Sequence, residues 1–178
     1  MGTGGVVGVR FNSECRLCYQ SHDASPSCLG EEIVSFVKKL HTDPLKMLTF
    51  VENIQTVEWA DAALQPTPEQ VEKLHGNPEI LIHLDYNTDW YTQFIFDPLE
   101  CLEYVTTFGL SVIPEHKKCE FGTYNYGSPI QYAYIINLDI GVLELYRHCC
   151  LMGQFPFEEI SGAQNDTWFK ALLTWEDC

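Results

Sequence analysis

The stretch from Ile130 to Tyr146 constrains the fold more than any other part of the chain. Residues from Ile130 to Leu138 and from Val142 to Tyr146 are rich in β-branched and aromatic side chains, and Asp139-Ile140-Gly141 joins them. This pattern predicts a hairpin. A lone hairpin is marginal in water, so it needs further strands or a covering helix. The opposite end of the chain supplies strands. Residues 4–11, Gly-Gly-Val-Val-Gly-Val-Arg-Phe, suit a strand whose neighbours approach closely. Asn12-Ser13-Glu14 reads as a turn and Cys15 to Tyr19 as the returning strand.

The region between reads mainly as helix. After a polar loop over residues 20–28, Ile33, Val34, Phe36, Val37 and Leu40 mark one face of a helix from Leu29 to Leu40. Ser27 is its expected N-cap, with Glu31 and Glu32 at the positive end of the helix dipole. Asp43-Pro44 ends it, and residues 45–53 form a second, shorter helix. Thr67-Pro68-Glu69-Gln70 is a capping box opening a third, which Gly76 closes. Residues 79–85 read as a strand and 89–108 as a helix with a break at Pro98. The expected fold is α+β, a single domain over 1–178. Its largely antiparallel sheet is built from the N-terminal and C-terminal hairpins, with the central helices packed on one face.

Charge narrows the partners. Twenty-five acidic residues against ten basic ones give −15 over 178 residues. Such a surface repels phosphate backbones and anionic membranes, so neither nucleic acid nor membrane is an expected partner. The plain reading of the charge is solubility. The sharper one is an acidic surface that docks on a protein partner. The carboxylates are scattered from Glu14 to Asp177, and the sequence sets no oligomeric state. An apolar content of 46% suffices for a core without metal or disulfide support. The start of the chain shows no basic segment followed by an apolar run, and no stretch of about 18 apolar residues occurs. The expected location is therefore cytoplasmic. The eight cysteines are then reduced, the sequon Asn165-Asp166-Thr167 is unused, and Val6 breaks the myristoylation pattern.

Several residue sets carry potential chemistry. Cys15, Cys18, His22 and Cys28 are spaced close to a zinc knuckle, and zinc takes four such ligands in a tetrahedron. A small zinc-binding module is one reading, but residues three apart on a strand face opposite sides, which favours structural thiols and no cofactor. Thr3 follows Gly2 at a junction like the one processed in N-terminal-nucleophile hydrolases, where the freed amine serves the adjacent hydroxyl as base. Asp23 or Arg10 would support such an amide-cleaving site, against the simpler reading of Thr3 as the start of a strand. Glycines 2, 4, 5 and 8 miss the dinucleotide fingerprint, because Val7 stands where its last glycine belongs. His22 beside Asp23, and His148 before Cys149-Cys150, lack the setting that activates a base or a thiol. Histidines 41, 75, 83, 116 and 148 show no metal spacing. Trp90, Tyr91, Phe94, Trp168 and Phe169 read as core. Phe121, Tyr124 and Tyr126, set between glycines, read as a binding loop or as a cover for the core.

Two patches carry a family resemblance. Met1, Gly2, Thr3, Gly5, Gly8, Arg10, Tyr19, Asp23, Pro26, Leu29 and Gly30 match an uncharacterised family of bacteriophages, bacteria and fungi. Its members open Met-Gly-Thr-Arg-Gly-x-x-Gly-Phe-Arg and continue Tyr-Asn-His-aromatic-Asp-Ser-Tyr-Pro-x-x-Leu-Gly. The run from Tyr132 to Asp139 resembles that family's C-terminal hairpin. The resemblance implies kinship and brings no function with it. Gly4 stands where the family has Arg, Gln20-Ser21 where it has Asn-His, and Ala24 where it has Tyr. These departures imply a diverged, non-catalytic role. The expectation is a non-enzymatic acidic interaction protein, with the hydrolase and the zinc module as alternatives.

Overall fold

The computed structural model describes residues 3–20, 23–61, 64–75, 98–115, 130–148 and 150–162. The first hairpin pairs β1 (Gly5–Phe11) with β2 (Glu14–Gln20) in antiparallel register, Phe11 opposite Glu14. Its two-residue turn, Asn12 (φ 51) and Ser13 (φ 65), has the positive φ values that fit the twist of a tight hairpin. Ser25 precedes a π-helical turn, Pro26–Gly30, which runs without a break into α1 (Glu31–His41). Ser27 therefore does not cap α1. It lies inside the turn, its hydroxyl 3.3 Å from that of Ser25, and Gly30 takes the cap position with helical dihedrals.

Asp43 caps α2 (Pro44–Thr56), accepting hydrogen bonds from the Leu45 and Lys46 amides. α2 is longer than α1, because apolar burial at Phe50 and Ile54 carries it past the expected end. β3 (Glu58–Asp61) follows, then α3 (Pro68–His75), α4 (Pro98–Phe108) and β4 (Val112–Glu115). The capping box at α3 is realised in both directions. The Gln70 amide donates to Thr67 Oγ1 at 3.2 Å, and the Thr67 amide donates to Gln70 Oε1 at 2.8 Å. Pro98 opens α4, as a proline does at a first helical position. Gly76, the expected strand 79–85 and the helical expectation before Pro98 lie outside the described residues.

The C-terminal hairpin pairs β5 (Tyr132–Asn137) with β6 (Val142–Arg147), and β7 (Cys150–Pro156) adds a third strand before the short α5 (Phe157–Ser161). All of these strands share one sheet, in the order β2-β1-β5-β6-β7. Three of the four pairings are antiparallel, and the β1–β5 pairing is parallel. β3 and β4 form a separate parallel pair. Val7, Val9, Cys18, Tyr134, Ile136 and Leu143 meet Ile33, Phe36, Val37, Phe50, Leu102 and Val105 in the main core, so the helices do lie on one face.

Two glycines make the β1 contacts possible. A Cβ on Gly8 would lie 2.6 Å from the Leu17 side chain and 2.9 Å from the Arg16 carbonyl. One on Gly5 would lie 2.5 Å from Ala24 Cβ. The hairpins are also joined at their tips: Asp139 accepts from the Asn12 amide at 2.7 Å and from the Ser13 amide at 2.8 Å. None of the helices among the described residues is long and apolar enough to cross a membrane.

Candidate functional site

The positions singled out from the sequence separate in space. Thr3 is half-buried just before β1, and its carbonyl accepts a hydrogen bond from the Ala24 amide at 3.1 Å. This sets it beside Asp23, an exposed residue with φ 55. Arg10 lies seven residues further on, about 23 Å of extended chain away, so it does not join Thr3 and Asp23. Cys18 pairs with Val7 and is buried in the main core. Cys15 pairs with Arg10 and faces the other side of the sheet, while Cys28 is exposed on the π turn. Among the described residues, no three His, Cys, Asp or Glu side chains stand where they could share a metal ion. His22, Cys149, Phe121, Tyr124 and Tyr126 lie outside the described residues.

The second face of the sheet carries a polar cluster that the sequence reading missed. Glu144, 4% exposed, sits at its centre. Its Oε1 accepts from Asn137 at 2.8 Å and from Gln154 at 3.2 Å. Its Oε2 accepts from the Tyr146 hydroxyl at 2.9 Å and from Arg10 Nη2 at 3.2 Å. Burial alone would raise the Glu144 pKa. The bonds from Asn137, Tyr146 and Arg10 outweigh burial and hold the pKa below the ordinary carboxylate range. A carboxylate has about four lone-pair sites, and here all four are taken. Glu144 is therefore a keystone of the sheet and is poorly placed to accept a substrate proton. Burial likewise pushes the neighbouring Cys15 thiol up, only partly offset by Arg10, so Cys15 stays protonated and weakly nucleophilic.

On the helix face, an open cleft of about 470 Å³ lies between the tip of the first hairpin, the end of α2 and β3. Val9, Ile54 and Val57 give it an aliphatic floor, and Phe11 and Trp59 give it aromatic walls. Glu14, Arg16, Asn12 and Gln55 supply its polar groups. Each element has a local reason to be there. The turn at Asn12 is pinned by Asp139, and Glu58, next to Trp59, is held by Gln70 at 2.7 Å and Lys73 at 2.7 Å.

Arg16 forms the inner wall. Its Nη1 donates to both oxygens of Glu115, at 3.0 and 3.1 Å, and its Nη2 donates to Glu14 at 2.6 Å. Glu115 is 3% exposed and belongs to β4, so this fork ties the small sheet to the large one. Burial works against a charged Arg16, but the bonds to Glu115 and Glu14 prevail and raise its pKa. Among the described residues this cluster sets two carboxylates, Glu14 and Glu115, against one guanidinium. The alternation Val57, Trp59 within a five-residue stretch was the one sequence signal for this wall, and it is too short to stand out.

The outer helical surface is acidic as well. Glu31 and Glu32 on α1, Glu100 and Glu103 on α4, and Glu158 and Glu159 on α5 occupy exposed or half-exposed positions. They outnumber Lys38 and Lys39 at the far end of α1, where Lys39 pairs with Glu103 at 3.4 Å. Compared with known families, curated proteins and solved structures, the chain matches none.

Proposed function

We propose that this chain is a non-enzymatic, cytoplasmic interaction protein that binds a protein partner through a basic segment, received at the Trp59 cleft. The observation that carries the reading is the make-up of that cleft. It is an open, mainly polar concavity with two partly exposed aromatic rings over a buried aliphatic floor, a setting in which a few placed polar groups select what binds. Here the polar groups are two amides, one carboxylate at the mouth and a guanidinium already engaged by two carboxylates. That set favours holding a cation over making or breaking bonds. The acidic helical surface adds long-range attraction for the same kind of partner and repels nucleic acid. The resemblance at both ends of the chain keeps the reading in the company of phage, bacterial and fungal proteins.

The test is selection of displayed random peptides on the immobilised full chain. Selected peptides are expected to be basic, to bind less tightly as salt rises, and to lose affinity for a Glu14→Lys variant. The reading fails if the selected peptides carry no basic excess, or if they bind that variant as tightly as the original.

A second reading is the amide-cleaving hydrolase with Thr3 as nucleophile, and the contact that sets Thr3 beside Asp23 favours it. It requires the Thr3 amine to be free. An intact mass showing that the mature protein retains Gly2 would eliminate it.

A further inference from the structure

We propose that the cleft seats a single arginine side chain of the partner, its guanidinium stacked on Trp59 and paired with Glu14. The inference rests on the protein-binding reading above and adds the identity of the group that enters.

Charge selects the sign of the occupant. Among the described residues Arg16 is the cation lining the cleft, and both of its terminal nitrogens already donate to carboxylates. An anion would therefore have to displace Glu115, which is buried, or Glu14. A cation instead meets the excess carboxylate. Glu14 is exposed at the mouth (its side chain is 68% accessible), and its Oε1 has no partner among the described residues. Burial differs sharply along the path inward, from this exposed rim to the buried Glu115. A long side chain with an apolar stem and a charged head suits that gradient.

Shape then selects arginine over lysine. Trp59 and Phe11, both partly exposed, line the cleft and give a stem its apolar contact, while Val9, Ile54 and Val57 lie buried beneath. A guanidinium is planar, stacks on aromatic faces and sheds water more readily than an ammonium. Its fork of donors can also reach the Glu14 carboxylate together with the side-chain carbonyl of Gln55 or Asn12. The cleft opens at the hairpin tip, where the turn is clamped by Asp139, so the wall is preorganised and little ordering is left to the partner.

The experiment follows the Trp59 indole N–H resonance of the full chain during titration with N-acetyl-arginine methylamide. The neutral isostere N-acetyl-citrulline methylamide and the lysine analogue run in parallel. Expected is a saturable shift with the arginine probe in the millimolar range, a weaker one with lysine and none with citrulline. Glu14→Gln, an exposed change that should leave the fold intact, is expected to weaken the arginine probe about fivefold. Equal responses to arginine and citrulline, or an unchanged affinity in Glu14→Gln, would overturn the proposal. If the Trp59 resonance stays still while selected basic peptides bind, the arginine assignment falls and the protein-binding reading stands. If neither binds, both fall.

Discussion

Replacing Glu144 with glutamine keeps the side chain's shape and removes its charge, which isolates what the carboxylate does for the sheet. Glu144 accepts four hydrogen bonds, two on each oxygen. In Glu144→Gln one of those oxygens becomes a donor. If the new amide faces Arg10 and Tyr146, Arg10 has no acceptor to offer it. If it faces Asn137 and Gln154, Asn137 must flip, but its Oδ1 already accepts from the Asp139 amide at 3.1 Å. Either arrangement loses at least one bond and weakens a charge-assisted one. Breaking a fully buried ion pair costs about 3–5 kcal/mol. Arg10 keeps 28% of its side-chain exposure and recovers some hydration. The expected loss is therefore about 2–3 kcal/mol, read by urea unfolding at pH 7.

The pH dependence gives an independent check. Because the folded pKa of Glu144 is depressed, its stabilisation is complete above the unfolded carboxylate pKa. It is lost as pH falls through the lower folded value. The gap between the original chain and Glu144→Gln should thus close on acidification. A gap under about 0.5 kcal/mol at neutral pH, or one that does not narrow at low pH, would refute the keystone role. Changing Arg10→Met together with Glu144→Leu should cost less than the two single changes summed, because no charge is then left stranded.

Other outcomes follow from the same geometry. Gly8→Ala should destabilise by about 1–3 kcal/mol in thermal or urea unfolding, since the Arg16 carbonyl at 2.9 Å cannot move aside as a side chain would. Asp139→Ala should cost about 1–3 kcal/mol and speed hydrogen exchange at Asn12 and Ser13, the two amides it caps. Among the described cysteines, Cys28 and Cys150 should react with a thiol reagent first, Cys15 slowly, and Cys18 and Cys101 only on unfolding. Elemental analysis should find no stoichiometric zinc, because Cys15 and Cys18 face opposite sides of β2.

Local signals in the sequence carried most of the elements. The Asn12-Ser13 turn, the Thr67–Gln70 capping box and the Asp43-Pro44 break all act within four residues, and all appear where the residues place them. Ser27 failed as a cap because burial of Pro26 and Leu29 sets a π turn there, a tertiary demand that overrides a local preference. β3 and β4, four residues each, show too little alternation to be recognised without their pairing partner. β7 escaped because Gly153 and Pro156 weaken its strand pattern, and its pairing with β6 is irregular at Leu145/Tyr146.

The functional surfaces were less legible because each joins distant segments: the parallel β1–β5 pairing brings Arg10 toward Glu144, and β4 brings Glu115 to Arg16 on β2. Arg10 and Glu144 are 134 positions apart, and Arg16 and Glu115 are 99 apart. The sequence indicated that the two terminal hairpins share one sheet, but nothing local fixes which strands adjoin or that β1 and β5 run parallel. Once they do, the period of two decides everything else. Arg10 pairs with Asn137 and Cys15, so these residues share the second face, while Arg16 pairs with Val9 and turns to the helices. A slip of one residue would send Arg10 and Glu144 to opposite faces and remove the wall of the cleft. The Asp139 clasp on Asn12 and Ser13 guards against that slip, because a carboxylate that caps two particular amides accepts one register only. The same contact that sets the register of the sheet therefore also shapes the mouth of the proposed binding site. A partner that closed on Asn12 and Glu14 would be read through the geometry of both hairpins at once.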